Sequence, residues 1–197
     1  MCEQPSRRTP RRPRNADRRS REHLTPDEVD ALVKAARQVG RHGSRDAALI
    51  LLAYRHGLRA SELVAFRWDQ VDLKRAELHV ARRKHGKPGT HPLRGPELRA
   101  LRDLARRYPY SACVFVSEQG GPLTTDALRK IVTRAGELAG LPFPVHPHML
   151  RHATGFYLAS KGHDTRAIQD YLGHRNIQHT VRYTVLAPNR FKDFWKD

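Results

Sequence analysis

Residues 146–174 read HPHMLRHATGFYLASKGHDTRAIQDYLGH, a pattern of two helices joined by a turn. Pro147 suits the first position of a helix, because the N–H that proline lacks would have no partner there. Pro147 therefore predicts a helix over His148–Ser160. Asp164 is a preferred N-cap residue and starts the helix that follows. Gly173 then ends this second helix, since glycine readily adopts the left-handed conformation that terminates helices.

Outside this stretch the chain also has a mainly helical pattern. Thr25-Pro26-Asp27-Glu28 combines an N-cap, a proline at the first helical position and the glutamate of a capping box. Between Val71 and Leu93 the period changes to strand-like alternation, which predicts a hairpin with its turn at residues 84–89. The other expected elements are a helix over Arg45–His56 capped by Ser44 and stopped by Gly57, a short helix in Leu58–Leu63, helices over Pro96–Tyr108, Thr124–Ala139, Thr165–Leu172 and Thr180–Thr184, and an extended piece at Val114–Val116. The expected fold class is mainly α (α+β), with helices and one small antiparallel sheet.

The charge of the chain indicates a polyanionic partner. Thirty-seven Lys and Arg residues face twenty Asp and Glu residues, which leaves a net charge of +17 and an isoelectric point near 10.8. Nucleic acid is the first candidate, because phosphate contacts dominate its affinity for proteins. An anionic membrane surface, or a halotolerant or ribosomal protein, is the alternative. Residues 1–22 hold eight arginines and predict a disordered arm, which either binds the DNA backbone or aids solubility. Residues 23–197 are expected to form one domain.

The sequence also predicts a compartment. Cys2 and Cys113 are the two cysteines, and they indicate neither a disulfide framework nor a zinc site. The N-terminus lacks the apolar segment of a signal peptide. The longest apolar run, residues 47–54, is too short to span a bilayer. We therefore expect a soluble cytoplasmic protein, associated with the nucleoid and not with a membrane.

Two residues of the first quoted helix are candidates for phosphate chemistry. His148 and Arg151 are three positions apart and so share a helix face. The guanidinium fork suits a phosphate group, and an imidazole can move a proton or donate to an oxygen. One alternative is a metal site, because His148 and His152 have the spacing of a zinc-binding helix; Met149, however, stands where the general-base glutamate would be. Another is that these are ordinary surface residues.

Further cations lie upstream. Arg59 follows the helix-ending Gly57 at the start of the next helix, and a helix N-terminus is a natural seat for phosphate. The alternative for Arg59 is a structural salt bridge with Glu62. Lys84 lies at the predicted hairpin tip, from which a flexible ammonium can reach into a DNA groove. Lys87 is a competitor for the same role.

The combination of these residues resembles the catalytic domain of tyrosine recombinases, the phage integrase family. The resemblance rests on Gly57-Leu58-Arg59-Ala60-Ser61-Glu62-Leu63, Lys84, His148-Met149-Leu150-Arg151-His152, Leu172-Gly173-His174 and Tyr183. It runs from about Leu24 to Trp195. Within the family, the chain is most similar to the short fimbrial phase-switch recombinases, which also lack a separate N-terminal core-binding domain.

The resemblance implies roles for six residues. Tyr183 would attack the scissile phosphate and form a 3′-phosphotyrosine. Arg59 and Arg151 would hold the non-bridging oxygens, and Lys84 would protonate the leaving 5′-oxygen. His148 would act as base or phosphate partner, and His174 would donate a hydrogen bond to the phosphate. The additional DNA contacts expected are Arg82, Arg83, Lys87 and Arg175.

The resemblance also implies partners and a reaction. The substrate would be double-stranded DNA with specific recombination sites, on which a homo-tetramer carries out inversion, integration or excision. No cofactor and no metal would be needed, because the covalent intermediate conserves the phosphodiester bond energy. Three other functions stay open at this point: a type IB topoisomerase, a non-catalytic DNA-binding regulator and a histidine-rich metalloenzyme.

Overall fold

The first helix begins at a capping box, as the sequence predicts. The computed structural model describes residues 22–82 and 88–186. In it the Thr25 hydroxyl accepts a hydrogen bond from the N–H of Glu28, and the Glu28 carboxylate accepts one from the N–H of Thr25. Two N–H groups that lack partners within the helix are thereby satisfied. Of the predicted basic arm, all but Glu22 lies outside the described residues.

Eight α-helices and three strands follow one another in the described part of the chain. The helices are α1 (Pro26–Gln38), α2 (Gly43–His56), α3 (Ala60–Val64), α4 (Gly95–Arg107), α5 (Thr125–Leu138), α6 (Pro147–Ser160), α7 (Thr165–Leu172) and α8 (Gln178–Val185). The strands are β1 (Val71–Asp72), β2 (Glu77–Val80) and β3 (Gly89–Pro92). The mainly helical fold with one small antiparallel sheet is confirmed.

The sheet has one strand more than the predicted hairpin. β2 pairs with β3 in antiparallel register, with Leu78 opposite His91, and β1 adds to the other edge of β2. The sequence does not reveal β1 because two residues are too few for alternation to show. Most of the predicted turn lies outside the described residues, since residues 83–87 are not among them.

The start of α2 differs from its prediction. Ser44 was expected to cap the helix, but the helix begins at Gly43 and Ser44 lies inside its first turn. Gly43 approaches the end of α1 so closely that a Cβ atom would lie 2.2 Å from the carbonyl oxygen of Arg37. The tight connection between α1 and α2 therefore fixes the helix start, and side-chain capping does not.

The core lies around α2, which packs against α1, α4 and α6. Leu49, Ile50 and Leu52 of α2 are fully buried, as is Leu150 of α6. This arrangement holds the C-terminal end of α2 against the end of α7, and both ends carry residues of the site described below. Among the described residues, no helix has the length and apolar character required to cross a membrane.

Candidate active site

A left-handed turn at Gly57 ends α2 and organises the site. Gly57 has φ of 56°, and a Cβ atom there would lie 2.4 Å from a side-chain carbon of Leu172. Only glycine combines this backbone conformation with so close an approach to α7. The turn directs the Gly57 carbonyl toward the guanidinium of Arg151, which donates a hydrogen bond to it.

Arg59 lies two residues after this turn, at the N-cap of α3. Its backbone N–H donates to one Glu62 oxygen over 2.8 Å, and its guanidinium donates to the other over 2.7 Å. The structural salt bridge considered for Arg59 is thus present. The Arg59 side chain is still 30% exposed, so the carboxylate holds the guanidinium in place while leaving it accessible from solvent.

Arg151 is buried behind Arg59. It donates to the Gly57 carbonyl and, over 2.7 Å, to the Leu172 carbonyl, which ties the end of α2 to the end of α7. Burial, and then the positive charges of Arg59 and Arg82, lower the pKa of Arg151 to about 9. Arg151 is therefore still protonated at neutral pH, within a concentration of positive charge that an anion would relieve.

Arg82, one of the predicted DNA contacts, lies beside Glu62. Its guanidinium is buried, lies 3.0 Å from the Glu62 carboxylate, and donates to the carbonyls of His56 and Tyr171. The guanidinium therefore binds groups of the helix ends and of α3 within the protein. Burial by itself raises the pKa of Glu62, but the hydrogen bonds from Arg59 and the charge of Arg82 outweigh this effect and lower it.

His174 follows the left-handed Gly173 that ends α7, as the sequence predicts. Its Nδ1 lies 2.9 Å from the hydroxyl of Thr180, at the start of α8. Burial, followed by the charges of Arg151 and Arg59, lowers the pKa of His174 to about 3. The imidazole is therefore neutral at pH 7. Its two neighbouring arginines place it in the same positive region as Arg151.

Tyr183 is fully buried on α8, between α6 and α7. Its ring lies against Gly155, where a Cβ atom would be 2.5 to 2.7 Å from three ring carbons. The ring centroid of His174 is 6.2 Å away. Burial raises the pKa of Tyr183, and the charges of Arg182 and Arg151 offset part of this increase.

The histidine in contact with the Tyr183 hydroxyl is His152. Its Nδ1 lies 2.8 Å from Oη of Tyr183. Arg182, the residue before the tyrosine, has its Nη2 atom against Nδ1 of His152 and 2.7 Å from Nε2. Its guanidinium lies over the Tyr183 ring at 5.1 Å. Burial, then the charges of His148 and Arg182, lower the pKa of His152 to about 2.

His148, the predicted base or phosphate partner, lies one helical turn before His152. It is exposed on α6, and its ring contacts the ring of His152 edge-on at 4.2 Å between centroids. The spacing of His148 and His152 had suggested a metal pair. The described residues contain no group of three or more His, Cys, Asp or Glu side chains that could hold a metal ion.

The other predicted DNA contacts divide into two groups. Arg175 is exposed next to His174, at the beginning of the connection to α8. Lys84, Arg83 and Lys87 lie outside the described residues. The structure therefore brings together Arg59, Arg151, His174 and Tyr183, each positioned by a different helix or helix end.

Three contributors to the site were not identified from the sequence. His152 was considered only as a metal partner of His148, Arg182 was not considered, and Glu62 was considered only as an alternative partner of Arg59. A usable signal existed for one of them: Arg182 is the cation adjacent to the candidate nucleophile. The His152 contact joins residues 31 positions apart, so no local pattern reveals it.

Comparison with known proteins gives consistent matches. Residues 22–190 match the model of the phage integrase family. The type 1 fimbriae regulatory protein FimB of Escherichia coli (strain K12) is 45% identical over 185 residues, which cover 91% of this chain and 92% of that protein. The crystal structure of the XerA recombinase superimposes with a TM-score of 0.76 at 26% identity, over 87% of this chain and 63% of that one. The XerH site-specific recombinase, in its pre-cleavage complex with a difH substrate, has the same fold, with a TM-score of 0.75 at 22% identity over 88% of this chain and 53% of that one.

Proposed function

The chain belongs to the phage integrase family, and from that premise we propose that Tyr183 cuts DNA by attacking a phosphodiester. The protein is a site-specific DNA recombinase of the tyrosine class. In the proposed reaction the phenolic oxygen forms a 3′-phosphotyrosine and releases a 5′-hydroxyl. Attack by another 5′-hydroxyl then reverses the linkage and joins a new pair of strands. The phosphodiester energy is kept throughout.

The observation that carries this proposal is the convergence of Arg59, Arg151 and His174 beside Tyr183. The charges of Arg151 and Arg59 both act on His174, whose ring lies 6.2 Å from that of Tyr183, so this space beside the tyrosine is positive. Burial, and then the charges of Arg59 and Arg82, lower the pKa of Arg151. A phosphate in this space would receive the planar donors that suit its oxygens. Negative charge grows on those oxygens in the pentacoordinate transition state, so fixed donors stabilise it more than the ground state.

The remaining roles follow from the chemistry that the reaction requires. Lys84 on the β2–β3 connection would donate a proton to the leaving 5′-oxygen as general acid. His174, whose Nδ1 lies 2.9 Å from the Thr180 hydroxyl, would carry its proton on Nε2 and donate from there to a phosphate oxygen. His148, exposed on the same helix as Arg151, would contact the phosphate or the adjacent backbone.

The proposed substrate is double-stranded DNA with paired recombination sites. The net charge of +17 supports strong attraction to a duplex. The similarity to a fimbrial regulatory protein favours inversion of a DNA segment over integration or excision. Two rounds of strand exchange through a Holliday junction require four active tyrosines, so we expect a homo-tetramer on two sites. Light scattering of the protein–DNA complex measures this directly.

Covalent trapping tests the role of Tyr183. The probe is a pool of nicked suicide duplexes that tile the DNA flanking the gene, with the products resolved by denaturing electrophoresis. The wild-type chain should give a protein–DNA adduct, and Tyr183→Phe should bind DNA but give none. An adduct formed by Tyr183→Phe would overturn the assignment of the nucleophile. Tyr110→Phe, at a fully exposed tyrosine, is the matched control and should react as the wild type does.

The arginine roles have their own test. Arg59→Lys and Arg151→Lys keep the charge but remove the planar fork, and lysine does not restore bidentate contacts. We expect each to slow adduct formation by about 10²–10³-fold, the cost of removing one transition-state donor. Rates within about threefold of the wild type would show that charge alone is sufficient. Relaxation of an unrelated supercoiled plasmid at a rate similar to that of site cleavage would indicate a topoisomerase instead.

A further inference from the structure

The hydroxyl of Tyr183 is surrounded by buried side chains to which the proposed reaction has so far given no role. Nδ1 of His152 is 2.8 Å from this hydroxyl, and both side chains are buried. The Tyr183 ring packs closely against Gly155, and the Arg182 guanidinium lies over it at 5.1 Å. His152 and Arg182 are therefore the side chains that hydrogen-bond the phenolic hydroxyl.

We propose that His152 is a catalytic residue of this recombinase, the group that orients the Tyr183 hydroxyl and accepts its proton during attack. This inference rests on the proposed function and specifies one step of it. As the bond from Oη to phosphorus forms and the bond from phosphorus to the 5′-oxygen breaks, the phenolic proton moves to Nδ1 of His152. The leaving oxygen takes a separate proton from the general acid. On religation the tyrosine oxygen leaves and recovers its proton from His152.

The geometry favours His152 over His148 for this step. Proton transfer needs a heavy-atom separation of about 2.6–3.2 Å, and the His152–Tyr183 pair meets this condition before any substrate binds. His148 is exposed and contacts the ring of His152. His148 thus contacts the imidazole of His152, the group that meets the hydroxyl.

The charges around His152 determine when the proton moves. From α6 and its N-cap residue His146 the imidazole faces His148, Arg151 and His146, and from α8 it faces Arg182 and the Tyr183 hydroxyl. Burial, and then this mainly positive environment, lowers the pKa of His152 and keeps the free imidazole neutral. Its Nδ1 faces both the Tyr183 hydroxyl and Nη2 of Arg182. The same environment opposes protonation until a phosphate brings negative charge to the arginines. Proton acceptance is therefore linked to substrate binding, which protects the buried tyrosine from ionising without DNA.

A substitution combined with chemical rescue tests the proposal. His152→Gln keeps a hydrogen-bonding group beside the hydroxyl but cannot accept a proton. We expect it to slow single-turnover adduct formation by about 10²-fold or more, the usual contribution of a general base. Placing a fluorinated tyrosine of lower pKa at position 183 should restore at least about tenfold of this loss, because an acidic phenol needs the base less. His163→Gln, in the exposed turn after α6, is the control and should react at the wild-type rate.

The outcomes separate this inference from the proposed function. Tyr183-dependent adduct formation that is insensitive to His152→Gln, or a loss that fluorination does not restore, overturns the role of His152 alone. An adduct that does not need Tyr183 overturns the proposed function itself. Thermal unfolding and DNA binding of each variant are measured in parallel.

A measurement on the wild-type chain covers the case in which His152→Gln does not fold. Nitrogen-15 NMR of the histidine rings should show Nδ1 of His152 unprotonated, with a signal that moves in Tyr183→Phe as the hydrogen bond is lost. A protonated Nδ1 in the folded wild type would overturn the proposal, because that nitrogen would then be a donor to Tyr183.

Discussion

Glu62→Gln is expected to destabilise the protein more than any exposed charge substitution, because it strands a buried cation. The Glu62 and Arg82 side chains are 2% and 1% exposed, and their charged atoms are 3.0 Å apart. At an effective dielectric constant of about 20, two unit charges at this distance attract by about 5 kcal/mol. Removing one partner of such a buried pair usually costs about 3–5 kcal/mol. Since a domain is stable by only about 5–15 kcal/mol, the loss is a large fraction of the total.

The substitution to glutamine isolates the charge. The amide oxygen of Gln can still accept the hydrogen bond that the Arg59 N–H gives to Glu62 over 2.8 Å, so the start of α3 keeps its cap. What is lost is the negative charge facing Arg82. In the double variant Glu62→Gln/Arg82→Met this stranded cation is absent. The double variant should therefore lose less free energy of unfolding than the two single variants lose together, by about 0.5–3 kcal/mol.

Urea unfolding monitored by circular dichroism gives these free energies of unfolding. Asp103→Asn is the matched control, because Asp103 pairs with Arg107 over 2.8 Å on the partly exposed face of α4. An exposed pair of this kind contributes about 0–1 kcal/mol. A Glu62→Gln loss no larger than that of Asp103→Asn would refute the reasoning. The difference in free energy of unfolding between the wild type and Glu62→Gln should become smaller in acid. The pKa of Glu62 is lowered in the folded state, so its ionised carboxylate stabilises the fold above the unfolded-state pKa. This stabilisation is lost as the pH falls through the folded-state pKa.

Two further substitutions test how the site is held. Gly155→Ala places a methyl group 2.5 to 2.7 Å from the Tyr183 ring, so the ring must move. We expect the free energy of unfolding to fall by about 1–3 kcal/mol in thermal unfolding, and adduct formation to be slower. Gly121→Ala, with its nearest neighbour 3.8 Å away, should change neither quantity. Asp164→Ala removes the N-cap of α7, whose carboxylate accepts from two backbone N–H groups; it should cost about 0.5–2 kcal/mol in urea, and an unchanged free energy would show that packing and not capping fixes this helix.

The local signals in the sequence predicted most of the helical framework. The capping box at Thr25, the proline at the start of α6, the cap at Asp164 and the left-handed glycines 57 and 173 are all confirmed. Such features depend on residues within one helical turn, so their chemistry can be interpreted without the fold. The order of charged and histidine residues along the chain was likewise sufficient to indicate the family, which the comparisons confirm.

The sequence by itself thus determined the elements, the charge of the protein and its family, because these are properties of neighbouring residues or of the whole composition. The tertiary structure alone decided which way Arg82 points and which histidine meets Tyr183. Arg82 turns inward because a buried carboxylate and the carbonyl of Tyr171, 89 positions away, accept its hydrogen bonds. His152 reaches the tyrosine because α6 and α8 pack together at Gly155. Contacts between distant residues depend on how the helices pack, and no periodicity in the chain encodes that packing.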